Sequence, residues 1–147
     1  MNRSGTNNME VKKVNKNRIF RYLYQNGQVS KQDIAYSLQM SLPTVAQNLR
    51  ELLEQNLVME NGWFESTGGR KAKAISYNCD AKYAVGLDIT KNHIGIVIIN
   101  LGGQVIRHER IRRRFENTDG YFRDLGALID AHIREAKIDP EKVCGVG

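Results

Sequence analysis

The hydrophobic pattern of this 147-residue chain changes its period once, near Asn78. Upstream, apolar residues recur at helical spacing between polar turns; downstream comes a β-branched stretch, Tyr83 to Leu101, dense in Val and Ile. Such a switch implies two units, 1–78 and 83–147, with Cys79 to Lys82 as the junction. Charge divides at the same place. Residues 1–78 hold 11 basic and 6 acidic side chains, the remainder 11 and 10, so the basic excess sits upstream. The 41% apolar fraction is that of an ordinary globular protein. The longest strictly apolar run, Ile96 to Ile99, falls far short of the roughly 20 residues of a spanning helix, and the first 18 residues contain no apolar h-region. The expectation is a soluble, cytoplasmic protein with no membrane partner. Cys79 and Cys144 are too few and too far apart for a disulfide framework or a metal knuckle, and are expected as buried thiols.

Upstream, Asn15 is positioned to cap a helix running to about Gln25, with Ile19, Phe20 and Leu23 on one face and Asn26-Gly27 as its stop. Ser30 and Asp33 have the spacing of a capping box, opening a short helix with Ile34, Ala35 and Leu38 as its stripe. After a polar break at Gln39 to Ser41, Ser41 caps a third helix with Pro43 in its first turn, where a missing N–H costs little. Val45, Leu49, Leu52 and Leu53 form its apolar stripe. Leu57 to Glu60 reads as a strand, Asn61-Gly62 as a turn, Trp63 to Glu65 as the return, and Ala74 to Tyr77 as one more strand. Three helices followed by a β-ribbon with a basic, glycine-bearing loop describe a winged helix-turn-helix.

The face of the third helix opposite its apolar stripe carries Pro43, Thr44, Gln47, Arg50 and Glu51, with Ser41 at its start and Asn48 on its flank. Short polar side chains at the start of such a helix suit base edges in the major groove. Gln or Asn pairs with adenine, Thr meets the thymine methyl, and Arg50, one turn on, is better placed for phosphate. In the loop, Gly68 and Gly69 permit close backbone approach, while Arg70, Lys71 and Lys73 supply three cations. Lys12, Lys13, Lys16, Arg18 and Arg21 add to the basic surface. These residues are the candidate site for double-stranded DNA. Trp63 and Phe64 are expected to pack the ribbon onto the third helix, and Tyr22, Tyr24 and Tyr36 to be core or rim residues.

At several points the chain resembles the N-terminal part of the ROK-group repressors, sugar-responsive regulators related to sugar kinases. The matching pieces are Val14-Asn15-Lys16-Asn17, Gly27-Gln28-Val29-Ser30-Lys31, Leu42-Pro43-Thr44-Val45 and Ser66-Thr67-Gly68-Gly69-Arg70. Val85-Gly86-Leu87-Asp88-Ile89 and Gly102-Gly103-Gln104-Val105-Ile106 look like the opening hairpin of the family's sugar-kinase-like domain. Lys71 stands where such wings often carry proline, and Asn48 where related helices are commonly apolar. The resemblance implies repression of carbohydrate-related genes. It also implies that the sugar-binding loop and the His/Cys zinc site lie beyond Gly147, so that a sugar effector acts only on a longer form.

Downstream, Ala84 to Ile89, Ile94 to Leu101 and Gln104 to about Arg114 read as three strands. Thr118 or Asp119 then caps a helix with Phe122, Leu125, Ile129 and Ile133 on one face, in which Gly126 is expected to serve close packing, and Val143 opens another strand. The fold class is α/β (α+β): a winged helix-turn-helix followed by the beginning of an actin-like, ribonuclease H-like sugar-kinase-type lobe. The phosphate turn of the kinase relatives needs glycines, which Asp88-Ile89-Thr90-Lys91 lacks, so neither an enzyme nor a cofactor is expected and Asp88 is read as structural. His93, His108 and His132 occur in unrelated local settings with no i, i+4 carboxylate or Cys partner, so no metal site is expected. Arg112 and Arg114 are read as a solvated strand face. The function expected is a sequence-specific DNA-binding regulator, in all expectation a homo-oligomer. The alternatives are a vestigial sugar kinase and a winged-helix protein-interaction module.

Overall fold

The computed structural model describes residues 4–64 and 72–147. The chain forms two compact units, Met1–Asn78 and Cys79–Gly147. In the first, helix α1 (Ser4–Asn26), α2 (Lys31–Leu38) and α3 (Leu42–Glu54) precede a ribbon of β1 (Val58–Trp63) and β2 (Lys73–Tyr77). The α1 helix begins 11 residues before Asn15, which is therefore interior to it and not its cap. The stop at Asn26-Gly27 is present: Gly27 has φ +71° and its N–H donates to the Leu23 carbonyl at 2.8 Å. A full capping box opens α2, with the Asp33 carboxylate accepting from the Ser30 N–H (2.9 Å) and hydroxyl (2.7 Å), and the Asp33 N–H donating back to Ser30 Oγ. Gln39 adopts the left-handed conformation that ends α2, and Ser41 caps α3 through the Thr44 N–H.

The core of this unit joins Ile19 and Leu23 of α1, Ile34 of α2, Val45, Leu49 and Leu52 of α3, and Val58 and Ile75 of the ribbon. Val29 adds a short third rung, exchanging N–H···O bonds of 2.8 and 2.9 Å with Ile75. The ribbon departs from the expected turn at Asn61-Gly62. Strand β1 runs on through both residues to Trp63, and the register with β2 shifts between Glu60 and Trp63. Gly62, at φ +74°, thus serves an irregularity in the ladder, a use of glycine that a sequence cannot separate from a hairpin turn.

In the second unit β3 (Tyr83–Ile89), β4 (His93–Asn100) and β5 (Val105–Arg112) form an antiparallel meander. Helix α4 (Asp119–Glu135) then leads to β6 (Val143–Val146), parallel to β3, giving the strand order β5-β4-β3-β6. This is the opening topology of a ribonuclease H-like sheet. Alternation along β4 buries Ile94, Ile96 and Ile98 against Tyr121, Leu125 and Ile133 of α4. Thr118 caps α4, but Tyr121 rather than Phe122 supplies its first buried ring, leaving Phe122 exposed. Gly126 faces open space and serves no close packing. Neither cysteine is buried: Cys79 is half-buried and Cys144 lies exposed on the edge strand β6. Among the described residues, no helix is long and apolar enough to cross a membrane.

Candidate nucleic-acid interface

Two local devices aim α3. Its start is fixed by Ser41, whose Oγ lies 3.3 Å from the Thr44 N–H and 2.8 Å from Thr44 Oγ1, and its inner face is anchored by Val45, Leu49 and Leu52. What remains outward is a ridge of Ser41, Pro43, Gln47 and Arg50, all exposed, with Thr44 half-buried beside it. Arg50 pairs with Glu54 at 3.2 Å, where both side chains are well exposed, so the pair adds little stability and leaves the guanidinium free to exchange partners. Asn48 is the exception. Expected on the flank of this face, it is only 3% exposed: Nδ2 donates to the Thr44 carbonyl at 2.8 Å and Oδ1 is buried without a partner. It points into the protein, as the apolar residues of related helices do, and does not offer its amide to a base.

The wing is described only at its root. Gly68, Gly69, Arg70 and Lys71 lie outside the described residues. Lys73 pairs with Glu60 and stands 5.7 Å from the centroid of the Trp63 ring. Trp63 is 57% exposed, so it does not pack the ribbon onto α3 as expected. It instead lines an open groove with Leu42, Ala46, Lys31 and Gln32 on one side of α3. Tyr36, 88% exposed, is not a core residue, while Tyr24 is half-exposed against Tyr77 with ring centroids 5.1 Å apart.

On the other side of α3 lies a contact that sequence reasoning missed. Lys12 and Lys16 of α1 both reach Glu51 of α3, Lys16 at 2.9 Å. These two ammonium groups hold the Glu51 carboxyl below its ordinary range. Between the helices runs a cleft lined by Met9, Val11, Lys12 and Asn15 of α1 and Thr44, Gln47 and Asn48 of α3. The signal was present in the sequence, since lysines at positions 12 and 16 fall on one helical face. A helix expected to start at Asn15 leaves Lys12 outside it. Arg18, counted among the surface cations, donates to the Leu38 carbonyl at 3.0 Å and so ties α1 to α2.

In the second unit Thr90 closes the β3–β4 turn. Its N–H donates to the His93 carbonyl at 2.9 Å, and its Oγ1 accepts from the His93 N–H at 3.1 Å. The hairpin is thus capped by Thr90, and Asp88, read as structural, stands exposed opposite Gly95. His132, which has no carboxylate at i±4, meets Glu109 of β5 at 2.9 Å and the Leu128 carbonyl at 2.9 Å. Arg113, between the two arginines read as a solvated face, reaches Asp124 at 2.6 Å and lies over the Tyr121 ring.

A family described as winged helix-turn-helix DNA-binding matches residues 14–59. The xylose repressor of Caldicellulosiruptor bescii is 27% identical over 142 residues, 96% of this chain and 36% of its own length. The xylose repressor of Bacillus subtilis is 25% identical over 93% of this chain and 36% of its own. The DNA-binding transcriptional dual regulator NagC of Escherichia coli is 29% identical over 67% of this chain and 24% of its own. The chain thus spans about a third of the length of the relatives it matches most fully. A crystal structure of a ROK family transcriptional regulator, a homolog of the E. coli MLC protein, shares the fold with a TM-score of 0.70 at 21% identity, covering 92% of this chain and 35% of that one. In its motifs, its fold and these likenesses the chain is similar to the N-terminal part of repressors such as these and of ROK family transcriptional regulators.

Proposed function

We propose that this chain carries the operator-binding part of a repressor of carbohydrate-related genes, acting on double-stranded DNA in the cytoplasm. The observation that carries the reading is the exposed, hydrogen-bonding ridge of α3, held outward by the Ser41 cap and an apolar anchor on the opposite face. The first two turns of α3 enter the major groove. Gln47 pairs with a base edge, Thr44 and Ser41 flank it, and Pro43 keeps the first turn free of a competing donor. Arg50 and Lys73 exchange their present carboxylate partners for phosphates, a trade between charge-assisted bonds of similar kind. Gly68, Gly69, Arg70 and Lys71 complete the interface as a wing on the backbone or in the adjacent minor groove. The repressor names of the relatives support the regulatory sense and the link to sugars. A homo-oligomer reading two half-sites completes the proposal.

The kinase alternative is disfavoured by the Thr90 turn, where the backbone N–H that a phosphate would need is already bonded to His93. Selection of bound duplexes from a random DNA pool tests the proposal. A consensus with two half-sites about one helical turn or a multiple of it apart is the expected result. Recovery of sequences no different from the starting pool overturns it.

A further inference from the structure

We infer that the N-terminal half of α1 is a second DNA-gripping element. In this reading the α1/α3 cleft receives the phosphodiester backbone of one strand, an inference that rests on the placing of α3 in the major groove. The major groove is roughly 12 Å wide and a helix with its side chains about 10–12 Å across. A helix seated there fills the groove from wall to wall. Whatever flanks its first turns meets the strand that forms the wall, and on the Thr44 and Gln47 side that element is α1.

The cleft has the chemistry of a phosphate seat. Lys12 and Asn15 bring hydrogen-bond donors to its α1 side beside the apolar Met9 and Val11, and Thr44, Gln47 and the inward-turned Asn48 form its α3 side. Glu51 accepts from Lys12 and Lys16, and two ammonium charges against one carboxylate leave the wall with a net positive charge. Lys12 is 42% exposed along its side chain and has donors to spare after serving Glu51, since an ammonium carries three. Lys16, at 24%, is the less accessible of the two and holds α1 against α3. Glu51 is therefore a positioning residue: it fixes the two lysines beside the recognition helix and lowers the charge they present.

The test measures affinity against salt concentration for the full chain, with a mixed-sequence duplex of about 30 base pairs and with the duplex recovered by selection. A phosphate contact is sequence-independent, so Lys12→Ala should flatten the salt slope by about 0.9 on both duplexes, with Lys12→Arg restoring it. Glu51→Gln removes an anion from the cleft while keeping both lysines, and should tighten binding several-fold. A lysine pair serving only to hold α1 in place would give the opposite result, weaker binding on loss of Glu51. Circular dichroism of each variant separates loss of helix from loss of contact. Wild-type affinity and slope in Lys12→Ala, alongside a lost base preference in Gln47→Ala, would overturn the cleft and leave the α3 reading standing. Absence of binding by the wild-type chain to either duplex would remove both.

Discussion

Single side chains decide how α2 and α3 begin. Ser30 and Asp33 satisfy each other's backbone N–H groups, and removing such a cap costs about 1 kcal/mol. Ser30→Ala should lower unfolding stability by that amount at pH 7, read from urea midpoints. The Ser30 hydroxyl and N–H hold the Asp33 carboxyl below its ordinary range. A carboxyl with a depressed folded-state pKa contributes stability that is fully present above its unfolded pKa of about 3.9 and is lost as pH falls through the depressed value. The difference between wild type and Ser30→Ala should therefore hold at pH 5 and shrink in strong acid; Glu51, depressed by Lys12 and Lys16, acts with the same sign. Asn48 makes the opposite case. Its Oδ1 is buried without a partner, a defect worth roughly 1–3 kcal/mol. Asn48→Leu should stabilise the fold by about 1 kcal/mol and leave base preference intact. A loss of base preference on that substitution would show that the amide turns outward on DNA.

At the scale of elements, the sequence was legible where the determining contacts are local. The caps at Ser30, Ser41 and Thr118 lie within four residues of what they bond, so residue type and spacing disclose them. The α1 start was not legible, because the stretch before Asn15 has no apolar stripe; its tie to the rest of the unit is the pair of lysines meeting Glu51 of another helix, which no local pattern reports. Asn61-Gly62 misled for a related reason, since a positive φ serves a ladder irregularity as well as a turn. Trp63, expected to pack the ribbon onto α3, is exposed, and the ribbon is anchored by Val58, Ala74 and Ile75 instead. Of the candidate site, the outward ridge of α3 was read correctly as to its face from a helical period, while the inward turn of Asn48 was not. In the second unit the β3–β4 pair turns on a glycine: a Cβ on Gly86 would stand 2.9 Å from Val97 Cγ1 of the neighbouring strand. Gly86→Ala should destabilise this unit by about 1–3 kcal/mol. Val97→Ala in the same chain should recover part of that loss, a coupling that a double-mutant cycle in urea measures.

For the molecule as a whole, the two units have separate hydrophobic cores, one built from residues 19–75 and the other from 85–138. The sheet of the second ends on β5 and β6, with Val105, Ile106 and Val146 exposed along them. Open strands with exposed apolar residues seek partners, and a two-half-site operator calls for a symmetric dimer. Light scattering should report a dimer or larger species that reverts to monomer when the chain is cut after Asn78; a monomer of the uncut chain at high concentration would place the dimer contact elsewhere. The central claim, that α3 reads base edges, is tested most directly by measuring wild type and Gln47→Ala against every single-base variant of the selected duplex. The account predicts that Gln47→Ala loses roughly 1–3 kcal/mol of discrimination at one base pair, with the profile elsewhere retained. An unchanged profile at every position would contradict it.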